Sequence, residues 1–155
     1  MLNEDTLSNI AAGRAISPKE VLRSLLMALD SGDVTTAIRT LDTPFRFMDH
    51  GLGLEFTETP RLGEFWHAVR KVLFDTKLEI VHIAESADCA FAEWPLTGTA
   101  EEGSGTFKLR HSVSVQGVSV AQVTNGRVTQ LSDYYDSATS RRYKVAGQFT
   151  EWVEY

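Results

Sequence analysis

The chain has 155 residues, 43% of them hydrophobic and 23% charged, with 15 Lys+Arg against 21 Asp+Glu, one cysteine and a formal net charge of −6. The lone Cys89 excludes an internal disulfide framework, the lack of a CxxC or Cys/His cluster argues against a zinc module, and the acidic balance argues against a nucleic-acid footprint. No apolar run approaches the ~18 residues of a membrane span, and the polar start Met1-Leu2-Asn3-Glu4-Asp5 is unlike a secretory signal, so a cytoplasmic location is expected.

A domain of this length buries roughly 68–70% of its unfolded surface and needs neither disulfide nor metal to fold. Residues 1–16, with Leu2, Leu7 and Ile10, read as an N-terminal arm, 17–146 as one domain and 147–155 as a C-terminal tail. A helix opens at Ser17-Pro18-Lys19-Glu20, where Ser17 can cap, Pro18 needs no N–H and Glu20 completes a capping box. Val21, Leu22, Leu25, Leu26 and Leu29 give it one apolar face, and Asp30-Ser31-Gly32 stops it. Asp33 caps a short second helix through Leu41. Asp42-Thr43-Pro44 breaks that helix, and Phe45 to Asp49 alternates as a strand.

Residues 51–63 read as a polar connection to a third helix, whose stripe is Phe65, Val69, Val72 and Leu73 and whose end falls near Asp75. From there the period is two. Leu78–Ala84, Cys89–Thr99, Phe107–Val123 and Val128–Tyr135 are predicted strands, joined by Glu101-Glu102-Gly103-Ser104-Gly105 and by the hairpin signal Asn125-Gly126. Gly117 is expected to mark a bulge. Helices ahead of a run of strands predict an α+β fold, with the helices closing a curved sheet around an apolar pocket.

Alternation places Phe45, Phe47 and Asp49 on one face and Arg46 and Met48 on the other, so a core-facing Phe side brings Asp49 to the mouth of the pocket. On the last strand Thr129, Leu131, Asp133 and Tyr135 share one parity, Gln130, Ser132, Tyr134 and Asp136 the other, and the residues alone leave open which faces inward. If Leu131 does, Asp133 is a buried carboxyl with a raised pKa, suited to acid/base work, and Tyr135 is placed to donate to an oxyanion. His82 shares its parity with Leu78, Ile80 and Ala84 and is expected to approach the core, whereas His67 reads as surface. No metal-ligand spacing involves the histidines, and Cys89 reads as a small buried hydrophobe. Phe45, Phe47, Phe65, Trp66, Phe91 and Trp94 are core aromatics that would line a pocket for a flat apolar ligand. No P-loop, G-x-S-x-G elbow or dinucleotide fingerprint is present.

The Asp49-His50-Gly51 strand end, Trp94-Pro95-Leu96-Thr97-Gly98-Thr99, and the run from Gly117-Val118-Ser119-Val120 through Asn125-Gly126-Arg127-Val128 to Asp133-Tyr134-Tyr135-Asp136 resemble the NTF2-like superfamily, in its SnoaL-like, limonene-epoxide-hydrolase-like and ketosteroid-isomerase-like branches. The resemblance implies an NTF2-like (cystatin-like) conical barrel, with three helices on a strongly curved, mixed, mainly antiparallel sheet, commonly a homodimer packed through that sheet. It also implies that Asp133 faces the cavity. The Arg-x-Asp half of the epoxide-hydrolase arrangement falls on Trp94-Pro95-Leu96 and is absent, and Asp49 sits where ketosteroid-isomerase-like members carry a base.

These readings converge on a cofactor-independent SnoaL-like cyclase or isomerase acting on a hydrophobic carbonyl compound, without metal, nucleic acid or membrane as partner. Asp133 and Asp49 are the expected catalytic residues, and Phe47, Phe65, His82, Trp94 and Tyr135 the expected substrate contacts. The alternatives are a non-catalytic ligand-binding or dimeric assembly domain, and an epoxide hydrolase that has moved its Arg/Asp pair, with Arg46, Arg61 and Arg110 available.

Overall fold

The capping box forms as its residues dictate. In the computed structural model, which describes residues 15–138 apart from residue 104, helix α1 spans Pro18–Ser31. The Ser17 Oγ accepts from Glu20 N at 3.3 Å while Glu20 Oε2 accepts from Ser17 N at 2.9 Å. Gly32 ends it with φ +78°, a conformation that favours glycine. Most of the arm, the tail and the expected domain end at 146 lie outside the described residues.

Helix α2, Val34–Arg39, is capped by Asp33, whose Oδ1 accepts from Thr36 N at 3.0 Å. It is shorter than the expected run through Leu41 because Leu41 already belongs to strand β1, Leu41–Asp49. Pro44 does not break this strand. The register between β1 and its neighbour is interrupted between Leu41 and Arg46, so the missing N–H costs no ladder bond. The supposed polar connection contains strand β2, Leu54–Phe56, and helix α3 runs over Thr59–Val72. Leu73–Leu78, expected to carry the helix on to Asp75, is instead strand β3, with Asp75 at φ 53°.

Strands β4 (His82–Ser86), β5 (Cys89–Glu102), β6 (Leu109–Thr124) and β7 (Arg127–Tyr135) complete the sheet. Asn125 and Gly126 both take positive φ, as a two-residue hairpin of this twist requires. The strand order is β2-β1-β7-β6-β5-β3, with β4 also on β5; β1 pairs with β7 in parallel and all other pairs are antiparallel. The sheet is strongly curved but does not close into a barrel. The leucines of α1 and Leu62, Phe65 and Trp66 of α3 pack over its inner face. Ala90, Ala92 and Ala121, all fully buried, keep that face shallow enough for the helices to approach.

Gly117 does not mark a bulge. It pairs in register with Trp94 on one side and Tyr135 on the other, and the irregularity of β6 lies at Gln122/Val123. A Cβ at 117 would stand 2.3 Å from Trp94 Cη2, so the glycine is there to seat the indole ring.

Candidate active site

Three polar side chains lie in one row across the inner face. Asp49 on β1 is the register partner of Asp133 on β7, which is in turn the partner of Ser119 on β6. Partners in register point to the same side of a sheet, so the parity of β7 is decided: Leu131, Asp133 and Tyr135 face inward. The next row holds Tyr135, Gly117 and Trp94. Gly51 does for Tyr135 what Gly117 does for Trp94, since a Cβ there would sit 2.2 Å from the phenol ring.

The row is wired by hydrogen bonds of one polarity. Trp94 Nε1 donates to Ser119 Oγ at 2.8 Å, and because an indole can only donate, the serine must turn its own proton to Asp133 Oδ1, 2.6 Å away. Asp133 Oδ2 has no hydrogen-bond partner among the described residues. On the neighbouring strand Asp49 Oδ1 accepts from Leu52 N and from the Tyr135 hydroxyl, both at 2.8 Å.

Burial dominates the electrostatics. It pushes the Asp133 carboxyl up to about 7; the Ser119 hydroxyl opposes the rise and the nearby Asp49 charge adds to it. Asp49, only 5% exposed, is also raised by burial, but the Leu52 N–H, the Tyr135 hydroxyl and the nearby Gly51 N–H favour its charged form and oppose the rise. The Tyr135 phenol is driven upward by burial and by Asp49, so it stays protonated.

The row opens onto an apolar cavity of about 130 Å³ between sheet and helices. A family model described as the SnoaL-like domain matches residues 22–131. The chain belongs to the SnoaL-like family.

Solved structures share the fold of this SnoaL-like chain at low identity. A candidate SnoaL-like polyketide cyclase from Shewanella putrefaciens CN-32 is 16% identical, with 83% of this chain and 96% of that one covered and a TM-score of 0.69. A hypothetical protein of ketosteroid-isomerase-like fold from Catenulispora acidiphila, in complex with trimethylamine, is 14% identical over 90% of this chain and 100% of that one, with a TM-score of 0.69. An NTF2-like protein of unknown function from Burkholderia pseudomallei K96243 is 20% identical over 83% and 98%, again at 0.69. No curated protein matches the sequence.

Of the residues expected from the sequence of this SnoaL-like domain, Asp49, Asp133, Phe47, Phe65, Trp94 and Tyr135 all line the cavity. His82 does not. Its side chain is 77% exposed on β4, with Nδ1 2.9 Å from Glu93 Oε2. The backbone leaves strand geometry over residues 79–81, so the alternation slips by one and Ile83, not His82, packs toward the core. Phe91 is likewise exposed, on the outer face of β5, and His67 is exposed on α3. Tyr135 is not placed as an oxyanion donor, because its one proton is directed at Asp49. Cys89 is partly exposed rather than buried, and desolvation together with the adjacent Asp88 raises its thiol pKa.

Ser119 and Arg70 line the cavity as well and are not among the residues expected from the sequence. Ser119 shares its pleat with Val113, Val115, Ala121 and Val123, and a single hydroxyl in a buried apolar row was the available signal. Arg70 lies on α3 next to the apolar stripe and had no such signal. Among the described residues no group of three or more His, Cys, Asp or Glu side chains is placed to hold a metal ion, and no helix is long and apolar enough to cross a membrane.

Proposed function

We propose that this SnoaL-like chain is a cofactor-independent acid/base enzyme that moves a proton at the activated carbon of a hydrophobic carbonyl compound, with isomerisation or ring closure as the outcome. One observation carries the reading: a carboxyl with pKa about 7, beside a second carboxyl, faces an apolar cavity. A base poised near the working pH combines a useful ionised fraction with real proton affinity.

Asp133 Oδ2 takes the proton from the carbon next to the carbonyl. The C–H bond breaks, an O–H bond forms, and the electron pair passes into the enolate. Returning that proton at another carbon isomerises the compound; attack of the enolate on a second carbonyl of the same molecule forms a C–C bond and closes a ring, and the alkoxide so formed takes the proton back from Asp133. Asp49 stays charged and adds to the proton affinity that burial gives its neighbour, while Tyr135 positions Asp49. Trp94, Phe47 and Phe65 form the apolar wall and reduce access of water to the reacting carbon.

The test is a thermal-shift screen of hydrophobic ketones, lactones, epoxides and polyketide-like aromatics, followed by deuterium exchange at the activated carbon of each binder in D2O. Exchange catalysed by the wild type and lost in Asp133→Asn supports the reading. Binding without exchange favours a non-catalytic ligand-binding domain, a reading supported by the internal pairing of Asp49 and Tyr135. The epoxide-hydrolase reading has less support, since Arg46, Arg61 and Arg110 do not line the cavity, Arg46 pairing with Glu55 on the outer face. A homodimer through the outer sheet face, where Phe91, Val118 and Tyr134 are exposed, is the assembly we propose; sedimentation of the purified protein checks it.

A further inference from the structure

The cavity has a second polar end, on its helix wall. Arg70, near the C-terminus of α3, lines it together with Asp30, Thr76 and Leu78. Its Nη1 donates to Leu29 O and Asp30 O, both at 3.1 Å, at the C-terminal end of α1, which has no basic residue in its own last turn. The guanidinium lies against Gly32, where a Cβ would come within 3.1 Å of both Cζ and Nε. The group is therefore held on one side and oriented.

Two bonds on Nη1 leave the Nε–H and both Nη2 protons without a hydrogen-bond partner among the described residues, and Arg70 has no carboxylate within ion-pair distance there. Asp30, whose carboxylate lines the same end of the cavity, accepts from Leu78 N through Oδ1 at 2.7 Å. An oriented fork of donors in the wall of an apolar cavity is the geometry that recognises a planar anion. The outer groove that continues past Leu26, Asp30 and Leu78 adds Arg23, Lys77 and Glu79. This end of the cavity thus carries more cations than anions, in a chain whose net charge is −6.

Arg70 reaches the cavity from the helix wall, on α3, and Asp133 from the sheet, on β7, so the two meet different parts of a ligand that fills it. We propose that Arg70 anchors a carboxylate and that the substrates are hydrophobic keto acids, the carbonyl end reaching Asp133. This rests on the acid/base reading above and names its substrate class.

The test is calorimetric titration of the purified protein with 3-benzoylpropionate and with its primary amide. The acid is expected to bind about tenfold or more tightly than the amide, as a charge-assisted bidentate contact would give, with the advantage shrinking at high salt. Arg70→Gln should bring the two affinities together while leaving the amide within about threefold of its wild-type value. Arg70→Lys, which keeps the charge but not the fork, should retain only part of the preference, and it decides the matter if the Gln variant fails to fold. Equal or better binding of the amide to the wild type, a preference that survives Arg70→Gln, or binding of neither compound at millimolar concentration overturns the anchor. A purely structural role in capping α1 would lower the melting temperature and leave the acid-to-amide ratio unchanged. The acid/base reading fails on a separate readout, the loss or survival of deuterium exchange in Asp133→Asn.

Discussion

Asp49 and Asp133 stand side by side as register partners on the parallel strands β1 and β7, yet their surroundings differ. Asp49 receives hydrogen bonds from the Leu52 N–H and the Tyr135 hydroxyl, whereas among the described residues Asp133 receives one, from Ser119. A proton available to the pair therefore resides on Asp133. Asp49 keeps the charge, and that charge raises the proton affinity of its neighbour.

Asp133→Asn should abolish proton transfer and leave the fold intact. The amide oxygen can still accept from Ser119, and a buried ionisable group becomes neutral. Melting temperature equal to or above wild type, with deuterium exchange lost, is the expected pair of results. Undiminished exchange would remove Asp133 from the mechanism.

Stability should fall as pH rises from about 4 to about 7. Between the ordinary aspartate value of 3.8 and the folded value near 7, the native state holds a proton that the unfolded chain has released, so raising the pH favours unfolding across that window. The effect is on the order of a few kcal/mol at most, and Asp49, also raised, acts in the same direction. Denaturant titrations at pH 5 and pH 8 measure it, and the difference should shrink in Asp133→Asn. An equal difference in the two proteins would show that the site does not titrate there.

Asp49→Asn should lower the pKa of Asp133. Burial is the larger cause of the elevation and Asp49 the smaller, so the drop is expected to be the minor part of it. Carboxyl carbon NMR reads it without a substrate, and the lower limb of the exchange rate against pH should move by the same amount. A rise would mean that Asp49 is protonated in the wild type.

Ser119→Ala breaks both bonds of the Trp94–Ser119–Asp133 chain and leaves a buried indole N–H without an acceptor. A loss of about 1–3 kcal/mol in stability is expected, with the Asp133 pKa moving further up because its one donor is gone. Ser119→Cys, which keeps a weak donor, should fall between the two.

Gly117→Ala and Gly51→Ala test the seating of the two aromatics. Neither glycine has positive φ, so the cost is steric: the added methyl meets the Trp94 ring in one and the Tyr135 ring in the other. Destabilisation of about 1–3 kcal/mol, typical of overpacking, should accompany a changed Trp94 fluorescence spectrum in Gly117→Ala. An unperturbed spectrum would count against the steric account.

Local chemistry was legible wherever one segment decides its own geometry. The capping box at Ser17, the left-handed stop at Gly32, the Asn125-Gly126 hairpin, and the alternation that puts Phe47 and Asp49 on one face all follow from bonds between residues a few positions apart. The helix-then-strand order fixed the fold class in the same way. Other features depended on partners far along the chain. Strand β1 begins at Leu41 despite Pro44 because its parallel neighbour β7 breaks register there, and Leu73–Leu78 leaves the helix because β5 offers it a ladder. His82 faces solvent because residues 79–81 slip the alternation between two strands that pair with the same β5. The proton affinity of Asp133 belongs to this second kind: it arises from burial, from Ser119 on one neighbouring strand and from Asp49 on the other, none of which a local pattern encodes. The alternation along each strand shows where the carboxyl and phenol groups of this chain can point; which of them are desolvated together follows from packing alone, because desolvation depends on what surrounds a group and not on its neighbours in the chain.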